Sequence, residues 1–266
     1  MSLPTRAALR GHLVKSRIAG DVATTRQNNL ENFGRMSRRE ANYLFGLDPA
    51  GRWSFDDVLA VMAQRCGVSP DPEHRSGQDT IDPDLTLNRL DAMAERIALA
   101  ASRRERVLVA TGHPHGLRSV HDAMAAVLRD AGCTLLAPAA GWRHPAGTPY
   151  GSDDHVIKYI DSGVAVMSSK LALHHTHSPE PMRAILAALA TAGEPPPDLV
   201  VADHGWAGAA GQAGVDAVGF ADCNDPALFV GEAEGTVAVC VPLDDNVAPH
   251  LYEPMIAYLL DQAGLG

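Results

Sequence analysis

The sequence predicts an α/β fold: a mostly parallel, Rossmann-like sheet with helices on both faces and a helical N-terminal section. Two observations carry this reading. An apolar run, RVLVA at 106–110, ends in TGHPHG, after which Leu117, Val120, Met124, Val127, Leu128 and Ala131 mark a helical stripe leading to a second run at 133–137. That is a β-loop-α-β unit, the seed of a parallel sheet. Further on, a short run at 199–201 stops on Asp203-His204-Gly205, and a Gly/Ala-rich turn or helix leads to another run at 215–221, which stops on Asp222-Cys223-Asn224-Asp225-Pro226. Two consecutive strands therefore empty into loops loaded with carboxylate, imidazole and amide. If they are parallel, both loops lie at the carboxyl edge, where open α/β sheets bind ligands.

Taken in order, residues 1–103 read as a helical section that caps or packs on the core, and 104–266 as the α/β core carrying the site. No strand is expected in the first hundred residues. The segment 5–18 has few apolar residues and several arginines, among them Arg17. Arg26-Gln27-Asn28-Asn29 with Asn32 reads as a polar loop that either caps the core or contributes to the site. Ser54 fits a helix N-cap, with Asp56 and Asp57 favourable in the first turn. Asp82-Pro83-Asp84 starts a longer helix whose apolar face is Leu90, Met93, Ala94, Ile97 and Ala101. Within the core, 139–154 is irregular and rich in Gly and Pro, and 156–160 with 164–167 reads as a hairpin or edge addition. His174, His175 and His177 precede a helix at 180–192. A strand at 236–241 ends on Asp244-Asp245-Asn246, and Pro254 marks the first turn or a kink of the closing helix.

The composition bounds the function. At 266 residues, 46% hydrophobic and 20% charged, the chain can bury a full core and is not disordered throughout. A net charge of -10 argues against nonspecific binding to nucleic acid or an anionic membrane. Four widely spaced cysteines without a C-x-x-C read as buried thiols of a reducing compartment. With no signal peptide or spanning apolar run, a cytoplasmic location is expected. A homo-oligomer is left open.

Metal-competent groups stand at several strand ends or helix starts: His113 with His115, His174 and His175 with His177, Asp203 with His204, and Asp222 and Asp225 with Asp244 and Asp245. Imidazole and carboxylate together suit Zn, Mn or Fe, or a Mg/Mn pair. Any one of these residues alone reads more simply as a turn or cap residue; the set, converging on one edge, reads as a site. Other chemistries fail on inspection. No cysteine has Arg six residues downstream, no G-x-S-x-G elbow occurs, and D-x-D-x-T at 82–86 follows a polar stretch and suits a helix start. The glycines at 205–214 raise a second reading, a nucleotide- or dinucleotide-binding module, an oxidoreductase or sensor, with Asp222 at the end of the next strand.

The segments GQDTIDP (77–83), ATGHPHGL (110–117), HTHSPEPM (175–182), DLVVADHGWAG (198–208), ADCNDPALF (221–229) and VPLDDNV (241–247) resemble a family of actinobacterial proteins labelled phosphatase. The resemblance covers nearly the whole chain and implies hydrolysis of phosphate monoesters. It names no catalytic residues. Combined with the residue pattern, it leads to an expected hydrolase of a small phosphorylated substrate that uses a divalent metal (Mg, Mn or Zn). Expected metal ligands are Asp203, Asp222, Asp225, Asp244, Asp245, His175 and His177, and the expected catalytic residues are His113, His204 and Asp203. Gly112, Gly116, Gly205, Gly208, Asn224, Arg17 and Arg26 are expected to hold phosphate or substrate, the glycines through N–H groups near helix starts.

Overall fold

The computed structural model describes residues 3–144 and 155–266. Of the irregular stretch expected at 139–154, residues 145–154 therefore lie outside the described residues. The chain enters through α1 (Arg6–Lys15), started by Thr5, whose hydroxyl accepts the Ala8 N–H. Strand β1 (Gly20–Thr25) follows. It pairs antiparallel with β2 (Gln78–Ile81), which corrects the strand-free reading of the first hundred residues. In β1 only Val22 is buried, so the ribbon has no apolar alternation to betray it.

A second correction is α2 (Arg26–Ser37), a helix where a polar loop was expected. The Thr25 hydroxyl caps it by accepting the Asn28 N–H. Its polar residues are tied inward. Arg26 donates to Asp79 Oδ2 at 2.9 Å and to the carbonyls of His74 and Asp71. Asn29 donates to the same carboxylate oxygen and to Cys223 Sγ. Then come α3 (Phe55–Arg65), with a capping box between Ser54 and Asp57, and α4 (Pro83–Arg103), where Asp82 accepts the N–H groups of Asp84 and Leu85.

The core begins with β3 (Arg106–Val109), α5 (Arg118–Asp130) and β4 (Thr134–Leu135). Strands β5 (Val156–Tyr159), β6 (Ala165–Ser168) and β7 (Leu173–His174) form a small antiparallel sheet, joined to the core by a bridge between Ala110 and Ala165. The chain continues through α6 (Glu180–Thr191), β8 (Leu199–Asp203), α7 (His204–Gln212), β9 (Ala217–Ala221), α8 (Pro226–Ala233), β10 (Val239–Pro242) and α9 (Glu253–Gln262).

The main sheet is parallel throughout, in the order β10-β9-β8-β3-β4. After β4 the chain crosses back over β3 to lay down β8, so successive connections leave the β3/β8 boundary in opposite directions and open a crevice at their carboxyl ends. Every residue of β8, β9 and β10 is buried, which requires cover on both faces. Helices α4, α5 and α9 pack together on one side; α7 and α8 cover the other, with α6 against α7 and α3 against α8. Residues 1–103 thus supply part of both layers. Among the described residues no helix is long and apolar enough to cross a membrane.

The small residues of α7 have a packing reason. A Cβ at Gly205, Gly208 or Gly211 would lie 2.2 Å from the His177 carbonyl oxygen, 2.2 Å from that of Phe45, or 2.5 Å from that of Thr236. A Gly205→Ala variant is expected to lose about 1–3 kcal/mol of stability by overpacking and to push away the loop bearing His175 and His177. Denaturant unfolding measures the first effect; unchanged stability would contradict the close approach.

Candidate metal centre

Five strand ends deliver side chains to one place. His113 follows β3, His175 and His177 follow β7, Asp203 and His204 join β8 to α7, Asp222 and Asp225 follow β9, and Asp244 and Asp245 follow β10. All are buried except His177, half-buried, and His175, which stands at the mouth. Their donor atoms form three overlapping groups: His113, His175 and His204; His204, Asp225 and Asp245; and Asp222, Asp244 and Asp245. Within each group every donor lies within 4.8 Å of the others.

His204 sits at the centre. Its φ of 47° is in the left-handed region, uncommon for a residue with a Cβ. Nδ1 is 2.7 Å from Asp203 Oδ1, and Nε2 is 3.4 Å from both Asp225 Oδ2 and Asp245 Oδ2. Burial opposes a proton on His204, but the hydrogen bonds to Asp203 and Asp225 outweigh it and hold its pKa well above the ordinary imidazole value. Asp203 shows the reverse: burial would raise it, yet the bond from His204 and that histidine's charge keep it below the usual carboxylate range. Both Asp203 oxygens are occupied by protein donors. Oδ1 also accepts the Gly112 N–H at 2.7 Å, and Oδ2 accepts the Thr111 hydroxyl at 2.5 Å.

The acidic side is built differently. Asp222 accepts the Thr24 hydroxyl and the Cys223 N–H, each at 2.6 Å, while Asp244 accepts the N–H groups of Asn246 and Ala23. Burial, and then the charges of Asp245 and Asp244, push the Asp222 carboxyl well above its ordinary value. Burial raises Asp244 as well. Carboxylates crowded this way repel, and a bound cation is the usual physical remedy.

The imidazoles crowd too. Ring centroids are 4.3 Å apart for His113 and His175, 4.8 Å for His175 and His177, and 4.6 Å for His177 and His204. Desolvation first, then the neighbouring His204, lower His175 to about 3 and His177 to about 4, so both present neutral rings at pH 7. Burial works against a proton on His113, but the Asp245 carboxylate 3.4 Å away outweighs it and raises the pKa.

A family profile described as Phosphatase matches residues 4–266. The chain belongs to the Phosphatase family. A protein of Streptomyces coelicolor, "Phosphatase SCO2771", is 55% identical over 264 residues, which is 98% of this chain and 97% of that protein. The family expected from the motifs is the one found.

Some expected site residues of this Phosphatase-family chain are placed elsewhere or at the margin of the cluster, and each has a reason. Arg26 is wholly buried in its pair with Asp79, so it is a structural ion and not a substrate contact. The Gly112 and Gly116 N–H groups are spent on Asp203 and the His113 carbonyl, and cannot receive phosphate. Gly205 and Gly208 face the backbone at His177 and Phe45, which also leaves the dinucleotide reading without an open glycine cradle at the start of α7. Asn224 stands at the margin: its amide donates to Asn28, and its carbonyl accepts from Asn32. Arg17 is bonded to the carbonyls of Asp21 and Val22, and with Thr24, Asp244 and Asn246 it lines a cavity of about 390 Å³.

Other residues escaped the sequence reading. His121, fully buried on α5, places Nε2 3.5 Å from Asp203 Oδ2 while Nδ1 donates to the Leu117 carbonyl. Its position on the apolar stripe, four after Leu117 and three before Met124, was the available signal. Thr24 and Thr111 had none, because a hydroxyl at a strand end is ordinary. Phe45 walls the cluster, with ring centroids 5.0 Å from His177 and 5.5 Å from His204.

Proposed function

We propose that this member of the Phosphatase family is a metal-dependent hydrolase of a small phosphate monoester. The family supports phosphatase chemistry; the cation is read from the donor groups of the site, and the monoester is carried over from the motif resemblance. One observation carries the reading: Asp222, Asp225, Asp244 and Asp245 are buried together against histidines at the carboxyl edge of the sheet. That donor set fits a divalent cation such as Mg, Mn or Zn. Such a cation supplies water activation and neutralisation of phosphoryl charge.

The chain's own residues divide the remaining work. Asp203 accepts the Nδ1–H of His204 and fixes the tautomer in which Nε2 faces Asp225 and Asp245, the carboxylate–histidine arrangement that orients a ligand. This makes Asp203 a positioning residue instead of a ligand. Thr111 and Gly112 hold that carboxylate in turn. His177 stacks on His204 and lies outside the three donor groups, which leaves its ring available to accept a proton from the attacking water. Arg17 and Asn246, lining the cavity beside Asp244, face the space in which the ester group would lie.

Stripped protein reloaded with Mg, Mn or Zn and assayed for phosphate release from a panel of monoesters tests the function; absence of turnover with every cation would overturn it. A His177→Asn variant is expected to lower kcat by about 10²–10⁴-fold with its metal content unchanged. Loss of metal from that variant would make His177 a ligand instead.

A further inference from the structure

The donors are too many and too spread for one coordination sphere. A divalent cation binds imidazole and carboxylate at roughly 2.0–2.2 Å, so ligands of one ion stand close to one another. Among the described residues no group joins His175 to a carboxylate, and none joins Asp222 or Asp244 to an imidazole. What links the two ends is Asp245, whose Oδ2 lies 3.4 Å from both His113 Nδ1 and His204 Nε2, while the same residue also belongs with Asp222 and Asp244.

We propose that the site holds two cations, not one: a nitrogen-rich position made by His113, His175 and His204, and an oxygen-only position made by Asp222 and Asp244, with Asp245 shared between them. The inference rests on the metal-dependent reading above and deepens it. A separate observation points to a ligand. His113 is 6% exposed, and its Nδ1 is buried without a hydrogen-bond partner, aimed at Asp245. A buried ring nitrogen left this way is costly unless something completes it. Charge agrees. Asp203, Asp222, Asp225, Asp244 and Asp245 together carry five negative charges when ionised; one divalent ion leaves three unbalanced, and two leave one. The two positions differ in chemistry, the imidazole side suiting Zn, Mn or Fe and the carboxylate side Mg, Mn or Ca.

Equilibrium dialysis of the stripped full chain against Mn²⁺ alone, with metal counted by elemental analysis, tests this. Saturation at about two equivalents per chain, with an exchange-coupled manganese spectrum, is expected for a paired site. Saturation at one equivalent, or two uncoupled ions, would overturn it. Asp222→Asn should halve the stoichiometry and abolish the coupling, since the isosteric amide can still accept the Cys223 N–H while the Thr24 hydroxyl turns to accept from it. A folded Asp222→Asn protein still holding a coupled pair would also overturn it. One equivalent with good turnover removes the pair and spares the phosphatase; two coupled ions with no turnover on any ester does the opposite.

Discussion

An Asp245→Asn variant is expected to lose phosphatase turnover by about 10³-fold or more. Asp245 is the carboxylate common to the histidine and aspartate sides of the cluster. Charge stabilisation by a bound cation supplies several kcal/mol to a phosphoryl transition state, and every 1.36 kcal/mol is about tenfold in rate. The substitution keeps the shape of the side chain and removes one of the buried charges crowding Asp222, so the cation-free protein should fold at least as well as before. Steady-state assay, elemental analysis and a thermal melt on one preparation check the three parts. Retained activity with retained metal would remove Asp245 from the centre.

Arg26→Ala is expected to cost stability on the scale of a broken buried ion pair, about 3–5 kcal/mol. The Arg26 and Asp79 side chains are 0% and 1% exposed and 2.9 Å apart. Removing the cation leaves Asp79 buried with only Asn29 and backbone donors at Ser69 and Thr80. The melting temperature should fall by roughly 10 °C for a chain of this size. An Arg26→Met/Asp79→Leu double variant should recover much of the loss, because matched apolar replacements of a buried pair are often neutral. A single variant within about 1 kcal/mol of the parent protein, the worth of an exposed pair, would contradict the role. Because Asn29 bridges Asp79 to Cys223, next to Asp222, the same loss should loosen the acidic side of the site.

Much of the core was legible. The run at 106–110, the stripe from Leu117 and the runs at 199–201 and 215–221 show their periods because strands covered on both faces need continuous apolar residues. The caps at Ser54 and Asp82 were legible for a local reason: the donor and acceptor sit within three residues of each other. The β1–β2 ribbon and the helical state of 26–37 were not. Both depend on partners some fifty residues distant, as Arg26 does on Asp79, and no window of sequence contains that pairing.

The site divides the same way. Sequence alone determined which groups stand at strand ends, since a strand that stops on Asp203-His204 or Asp222 must project them at the sheet's edge once the strands are parallel. Tertiary structure alone decided their partners. Asp203 became the support of His204, His121 came up behind it, and Asp245 reached both sides of the cluster, because the crossing between β3 and β8 folds five distant loops onto one crevice. Residue type is local information; which carboxylate meets which imidazole is set by distances that only the closed fold contains.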